Sequence, residues 1–222
     1  MTHPLLDPAG VDGLRAALLA AGYTSEGVAA RLGSAAVQAI QRGDFRASLR
    51  ATADRDPLAT LIRLFILGQS EAESVVAAAL PLAVARGAGL VIPDGQSLRA
   101  GVELEPYGDW WVLSDPSTAL RPGIRLPADH VLGVGGASST LAQATIRDDV
   151  GAALDLGTGC GVQALHLSRH AARVTATDVS QRALRFAATT AALNGLAWDL
   201  RLGDLAGPVA GERFVLVVSN PP

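Results

Sequence analysis

The sequence predicts an α/β fold for its C-terminal half, built on a parallel sheet, behind a mostly helical N-terminal part that ends in a β-hairpin. Three observations predict it. Apolar residues recur at helical spacing up to about Leu80. Between Leu98 and Leu113 the period falls to two, the spacing of half-buried strands. Beyond Leu126, short apolar runs alternate with helical stretches, and strands that alternate with helices pair in parallel.

The helical part is punctuated by its own start signals. Asp7-Pro8 and Asp56-Pro57 each offer a capping carboxylate followed by proline at the first helical position. Leu14, Leu18 and Leu19 give the first helix an apolar face, and Leu58, Leu61, Ile62 and Phe65 do so for the later one. Asp44 is expected to cap a helix through Phe45 and Leu49. Ser70 with Glu73 has capping-box spacing, Gly68 is a helix stop and Pro81 a restart. Leu98 to Glu105 and Trp110 to Leu113 read as two strands joined at Pro106–Asp109. Helices followed by this hairpin give a winged-helix-like unit over roughly Asp56–Leu113. Such a unit either binds nucleic acid or packs against another domain. Arg42, Arg46 and Arg50 would line one helix face, as phosphate contacts or as a solvated stripe. Pro116, Pro122, Gly123 and Pro127 mark 116–127 as a linker, between an N-terminal domain, 1–115, and a C-terminal domain, 128–222.

Composition narrows the class. The 222 residues are 49% hydrophobic and 18% charged, enough to bury one large core or two modest ones. Net charge is −3, which gives no global pull toward nucleic acid or anionic lipid. All 18 basic residues are arginine; with so much Ala, Gly, Leu and Val this reads as a coding bias rather than selection for phosphate binding. No apolar run reaches the roughly 20 residues of a membrane span, and Met1–Gly10 lacks the layout of a secretory signal. The single cysteine, Cys160, rules out an intrachain disulfide framework, and His3, His130, His166 and His170 form no metal-ligand grouping. A cytoplasmic protein without a metal or membrane partner is expected.

The chemistry concentrates in the C-terminal domain. A strand from Ala152 to Leu156 carries Asp155 near its end, then Gly157-Thr158-Gly159-Cys160-Gly161 leads into a helix from Val162. Strand, glycine turn and helix is the context of a cofactor loop, because glycine lets the backbone approach a ligand and the helix start offers unpaired N–H groups. A dinucleotide fingerprint needs glycine at the first, third and sixth positions. Here the sixth is Val162 and the fifth is Gly161. The next strand, Arg173 to Asp178, ends in a carboxylate that can accept the ribose hydroxyls of a nucleoside. Ser180 caps the helix that follows. A third strand, Trp198 to Leu202, precedes Gly203-Asp204-Leu205. A fourth, Phe214 to Val218, runs into Ser219-Asn220-Pro221-Pro222.

Asp-Leu-Gly-Thr-Gly-Cys-Gly from Asp155, the strand-end Asp178 and the terminal Asn220-Pro221-Pro222 together resemble the class I, Rossmann-like, S-adenosylmethionine-dependent methyltransferases of the methyltransferase small domain type. These are related to the N6-adenine, N2-guanine and protein-glutamine N5 methyltransferases. The resemblance covers about Leu126–Pro222. It implies S-adenosyl-L-methionine as cofactor, held by Asp155, Gly157, Thr158, Gly159, Gly161, Asp178, Asp204 and Leu205, with Asp204 at the adenine amino group. It implies catalysis at Asn220, Pro221 and Pro222. It further implies that this stretch is the N-terminal part of a longer sheet, since the family's sheet continues with three more strands and places an aromatic residue after the second proline. Gly133 to Thr140, a glycine- and serine-rich segment before a helix, corresponds to the part that often covers the cofactor.

The Asn-Pro-Pro pattern has its own physical logic. An amino or amide nitrogen is planar because its lone pair is delocalised. An Asn side-chain oxygen and a proline carbonyl can both accept its N–H bonds, and two prolines hold the backbone rigid, so little entropy is lost on binding. Three functions follow. The first is N-methylation of a nucleic-acid base, RNA before DNA. The second is methylation of a release-factor glutamine. The third is a nucleic-acid-binding module whose Rossmann-like domain no longer binds cofactor.

Overall fold

The computed structural model describes residues 2–117 and 126–220. The chain divides into two compact units, one of Leu6–Trp111 with Asp115–Leu126, the other of Met1–Leu5, Val112–Ser114 and Pro127–Pro222. Most of the stretch expected to be a linker, and Pro221 and Pro222, lie outside the described residues.

The N-terminal unit starts with α1 (Pro8–Ala20), where Asp7 accepts the Gly10 N–H at 2.7 Å and Pro8 occupies the first turn. Then come α2 (Ser25–Leu32), capped by Thr24, α3 (Ser34–Gln41) and α4 (Arg46–Ala51). α5 (Pro57–Leu61) is capped by Asp56 as expected, and it runs on into a π-helical turn, Ile62–Ile66. β1 (Glu71–Ala72), α6 (Glu73–Ala79), α7 (Leu82–Gly87), β2 (Val91–Asp94) and β3 (Ser97–Ala100) follow. The strands form an antiparallel sheet in the order β1-β3-β2. Helix, short strand, two helices and hairpin is the winged-helix order. A second hairpin pairs β4 (Glu103–Tyr107) with β5 (Trp110–Ser114). The unit's core gathers Leu14, Leu18, Tyr23, Leu61, Ile62, Leu64 and Phe65. The buried Tyr23 hydroxyl donates to the Leu104 carbonyl at 2.7 Å, which satisfies its polar tip.

Four expectations need correction here. The wing is β2–β3, not the hairpin at Pro106–Asp109. The alternation from Leu98 to Glu105 is two strands, broken at Gly101, where an added Cβ would lie 2.1 Å from the Gly89 carbonyl oxygen. Ser70 is no cap; its hydroxyl meets Asp94, and α6 starts after Ala72 without a side-chain cap. Arg42, Arg46 and Arg50 share no helix, because Gly43, with φ +76°, separates α3 from α4. Arg46 pairs with Asp44, which accepts its backbone N–H from outside the helix.

The C-terminal unit is a Rossmann-like α/β layer. α8 (Gly136–Ala144) precedes β6 (Ala153–Leu156), α9 (Val162–Leu167), β7 (Val174–Asp178), α10 (Gln181–Leu193), β8 (Asp199–Leu202) and β9 (Leu216–Ser219). Its four strands are all parallel, in the order β8-β7-β6-β9. The chain therefore winds one way from β6 through β7 to β8, then reverses to place β9 on the other side of β6. Ligands of open α/β sheets bind beyond the carboxyl ends of the strands at such a reversal. Ala153, Val174 and Val218 of the sheet pack against Ala164 and Leu167 of α9, with Leu141 of α8 and Trp198 at the margin. Leu5 and Leu113 donate backbone N–H bonds to Thr189 and Thr190 of α10, at 2.9 and 3.2 Å, which ties two outlying segments to this unit.

Candidate functional site

The carboxyl ends of β6, β7 and β8 are laced together. Gly157 and Thr158 donate backbone N–H bonds to the Thr177 carbonyl at 2.9 and 3.0 Å. The Gly203 N–H donates to the Asp178 carbonyl at 2.9 Å, and the Thr177 hydroxyl donates to the Leu205 carbonyl at 3.0 Å. Across the reversal, the Ser219 hydroxyl donates to the Leu156 carbonyl at 3.0 Å. Strand pairing alone would bring these ends side by side; the extra bonds fix the loops that leave them.

Gly157, Gly159 and Gly161 all have positive φ, at +70°, +56° and +91°. Each L side chain there costs roughly 1–2 kcal/mol. They differ in what lies above the Cα. At Gly161 an added Cβ would sit 2.6 Å from the Trp198 ring. At Gly157 and Gly159 it would meet nothing within 4 Å. Gly161 is thus needed for packing, whereas Gly157 and Gly159 face open space and leave room for a ligand against bare backbone.

Asp155 lies beneath this loop and is only 1% exposed. Its Oδ2 accepts the Thr158 hydroxyl at 2.7 Å, while its Oδ1 is buried without a hydrogen-bond partner. Burial pushes its carboxyl up to about 6, against the opposing pull of the Thr158 hydroxyl and the Ala164 backbone N–H. A buried polar atom left unpaired costs about 1–3 kcal/mol, so this one calls for an explanation. A cationic amino group placed beside the loop would supply one.

Asp178 ends β7 half-buried. Its Oδ2 accepts the Gly159 N–H at 2.9 Å and its Oδ1 accepts the Ser180 N–H at 2.8 Å. A carboxylate has about four acceptor positions, so two remain for hydroxyl donors. Asp204 is exposed on the turn after β8. Leu205 beside it is 66% exposed and held at φ +44°, a conformation that strains a branched side chain. Val179, next to Asp178, is 67% exposed. Two exposed apolar side chains thus follow directly after these two acids. Val179 is absent from the sequence-derived site; an apolar β-branched residue directly after a strand-end carboxylate would have been its signal.

Asn220 follows β9 and is half-buried. Its Nδ2 donates to the Ser138 hydroxyl of α8 at 3.1 Å. The Ser138 carbonyl in turn accepts from Gln163 Nε2 of α9 at 2.8 Å. Neither Ser138 nor Gln163 belongs to the site read from the sequence. Gly136–Thr140, expected as part of a covering loop, is the start of α8. The structure thus gathers Asp155, the glycine loop, Asp178, Asp204 and Leu205 along the ends of β6–β8, and sets Asn220 beyond the end of β9, next to β6. Among the described residues no three His, Cys, Asp or Glu side chains group as a metal site, and no helix is long and apolar enough to cross a membrane.

Residues 133–222 match the family model of the methyltransferase small domain. That match covers the whole Rossmann-like part of the chain, from just before α8 to the last residue. Residues 20–101 match a second family, described as a domain of unknown function, DUF7059. The chain has curated relatives of two kinds. The ribosomal RNA small subunit methyltransferase C of Salmonella arizonae is 34% identical over 121 residues, 54% of this chain and 34% of that one. The release factor glutamine methyltransferase of Xylella fastidiosa (strain 9a5c) is 49% identical over 71 residues, 31% of this chain and 26% of that one. The chain therefore spans about a third or less of the length of the curated relatives it matches. Among solved structures, a T. thermophilus 16S rRNA N2 G1207 methyltransferase in complex with AdoMet and guanosine is 20% identical. It covers 60% of this chain and 40% of that one at a TM-score of 0.39, an overlap that bears on neither site nor substrate.

Proposed function

We propose that the methyltransferase small domain binds S-adenosylmethionine and that the intact protein methylates a planar amino nitrogen of an RNA base in the cytoplasm. The observation that carries this reading is the placement of Asn220 at the sheet reversal, one strand from a glycine loop with open space above Gly157 and Gly159. The residues present fit the cofactor. The unpaired Asp155 Oδ1 would accept from a cationic amino group, with Thr158 fixing the carboxylate's other oxygen. The backbone of Gly157, Gly159 and Gly161 turns tightly beneath the amino-acid portion. Asp178 keeps acceptor positions that would take the ribose hydroxyls, and Asp204 would accept from the adenine amino group, with the exposed Val179 and Leu205 as candidate apolar contacts for the ring.

When bound, S-adenosylmethionine supplies an electrophilic methyl group on a sulfonium that leaves readily. The rest of the work is positioning. Asn220 Oδ1 accepts one N–H of the acceptor amine, and the Pro221 carbonyl, by the family's pattern, accepts the other. Fixing the planar nitrogen this way converts a bimolecular encounter into an oriented one, which is where most of the acceleration arises. No side-chain nucleophile is required.

RNA is favoured over protein because the ribosomal RNA methyltransferase of Salmonella arizonae aligns over 54% of this chain, against 31% for the release-factor enzyme. The higher identity of the latter over its shorter stretch keeps a glutamine acceptor as the second reading. A methyl-transfer assay with labelled cofactor and the intact protein, offering total RNA and release factors in separate reactions, decides between them. Label in RNA alone supports the first reading, label in release factor alone the second, and label in neither overturns both. A cofactor-free binding module, the third possibility, predicts no heat on titration with S-adenosylmethionine.

A further inference from the structure

An Asn amide is lopsided, with an acceptor on one side and a donor on the other. The proposed reaction needs Oδ1 turned to the acceptor nitrogen, so Nδ2 must be held elsewhere. Three consecutive hydroxyl residues open α8, and they behave differently. Ser139 and Thr140 donate back to the Gly135 and Gly136 carbonyls of their own chain segment, at 3.1 and 2.9 Å. The Ser138 hydroxyl instead meets Asn220, 82 positions away in sequence, at 3.1 Å. The Ser138 backbone is itself fixed from the other side. Gln163, second residue of α9 and 5% exposed, donates its Nε2 to the Ser138 carbonyl at 2.8 Å. Gln163 lies two residues after Gly161, in the first turn of α9, so one end of this strut rests on the glycine loop's helix and the other on Asn220.

We propose that Ser138, braced by Gln163, is a positioning residue that holds the Asn220 amide with its oxygen toward the nitrogen to be methylated. The inference rests on the methyltransferase reading above. It adds that α8 is part of the acceptor site rather than only a cover for the cofactor. Because Gln163 sits on the glycine-loop helix, the strut also joins the cofactor side of the site to the acceptor side through two hydrogen bonds.

The test uses the intact protein. With cofactor saturating, Ser138→Ala is expected to lower kcat for methyl transfer about tenfold, the equivalent of about 1.4 kcal/mol. The Kd for S-adenosylmethionine stays at the wild-type value by calorimetry. Ser138→Thr, which keeps the hydroxyl, restores most of the rate, and Gln163→Leu gives an intermediate loss. In an Asn220→Ala background, Ser138→Ala has no further effect, since residues that act as a unit are not additive. Wild-type kcat in Ser138→Ala, or losses that multiply in the double variant, overturns the proposal. A readout independent of turnover is solvent exchange of the Asn220 side-chain amide hydrogens, followed by NMR. Faster exchange in Ser138→Ala supports the strut; unchanged exchange refutes it. Full activity in Asn220→Ala would sink the methyltransferase role of Asn220 and the strut with it. An inactive wild type would sink only the reaction assigned above, with the exchange measurement still deciding the strut.

Discussion

Glu71 in the N-terminal unit and Asp155 in the C-terminal unit are both buried carboxylates, 3% and 1% exposed. They are treated in opposite ways. Glu71 is enclosed by two guanidinium groups, Arg55 Nε at 2.9 Å on Oε2 and Arg63 Nε on Oε1, so each oxygen has a charged donor. Asp155 has one neutral hydroxyl on Oδ2 and nothing on Oδ1. Desolvating a carboxylate is expensive, and only paired geometry offsets it. The first acid is complete within the fold. The second has only a neutral hydroxyl at hydrogen-bond distance and no charged partner. The difference separates an acid whose charge is matched within the fold from one whose charge is not, which is what the proposed cofactor role of Asp155 requires.

Variants that break this contrast should have unlike consequences. Glu71→Ala leaves the buried Arg63 without its counter-charge and is expected to cost about 3–5 kcal/mol, read as a lower urea midpoint for the N-terminal unit, with cofactor affinity unchanged. Gly161→Ala comes next. It drives a methyl into the Trp198 ring in a left-handed backbone, and a loss of about 2–4 kcal/mol in the C-terminal unit is expected. Gly159→Ala carries only the backbone strain, roughly 1–2 kcal/mol, yet it should weaken S-adenosylmethionine at least as much as Gly161→Ala does. Equal stability losses at the two glycines would contradict the assignment of one to packing and the other to the ligand.

The pH dependences sharpen the contrast further. Asp155 is raised from 3.8 to about 6 by burial. The folded state therefore keeps a proton that the unfolded chain has released. Its contribution is fully present below about pH 4 and is lost as pH rises through 6. Asp155→Asn should flatten that slope in thermal melts without cofactor, while weakening cofactor binding about tenfold or more, or 1.4 kcal/mol. A smaller effect of the same sign is expected at Glu105. It lines a cavity of about 380 Å³ with Leu32, Phe45 and Phe65 in the N-terminal unit. Desolvation at the cavity wall, and then Glu103 beside it, raise it from 4.5 to about 7. The side chain is exposed, so solvent screening reduces what the shift contributes to stability. Stability of that unit should decline between about pH 5 and 7, and Glu105→Gln should remove the decline. A flat profile in the wild type would remove Glu105 from the account.

Most of the C-terminal unit was legible in the sequence, for a physical reason. β6 and β7 are short apolar runs that end in acids, and the acids and glycines follow the strand ends by chain geometry. Local pattern and tertiary site coincide there. The N-terminal unit was harder. β2 carries Pro93, which speaks against a strand, but β2 is an edge strand, where a missing N–H is tolerated. The alternation from Leu98 to Glu105 kept its period while the strand changed partner at Gly101, and period alone cannot register a change of partner. Ser138 and Gln163 were invisible because their meaning lies in bonds to residues far away in sequence. Val179 had a weaker signal in its sequence position, directly after a strand-end carboxylate, and its exposure adds to it.

The most direct test of the central claim is calorimetric titration of S-adenosylmethionine into the intact protein at pH 6, in buffers of different ionisation enthalpy. If Asp155 Oδ1 receives the cofactor's amino group, binding lowers the acid's affinity for its proton. About half a proton should then be released per cofactor bound, since a group of pKa about 6 is half protonated at that pH. Asp155→Asn should bind more weakly and release none. Binding without proton release in the wild type, or undiminished affinity in the variant, would show that the unpaired oxygen is not kept for the cofactor.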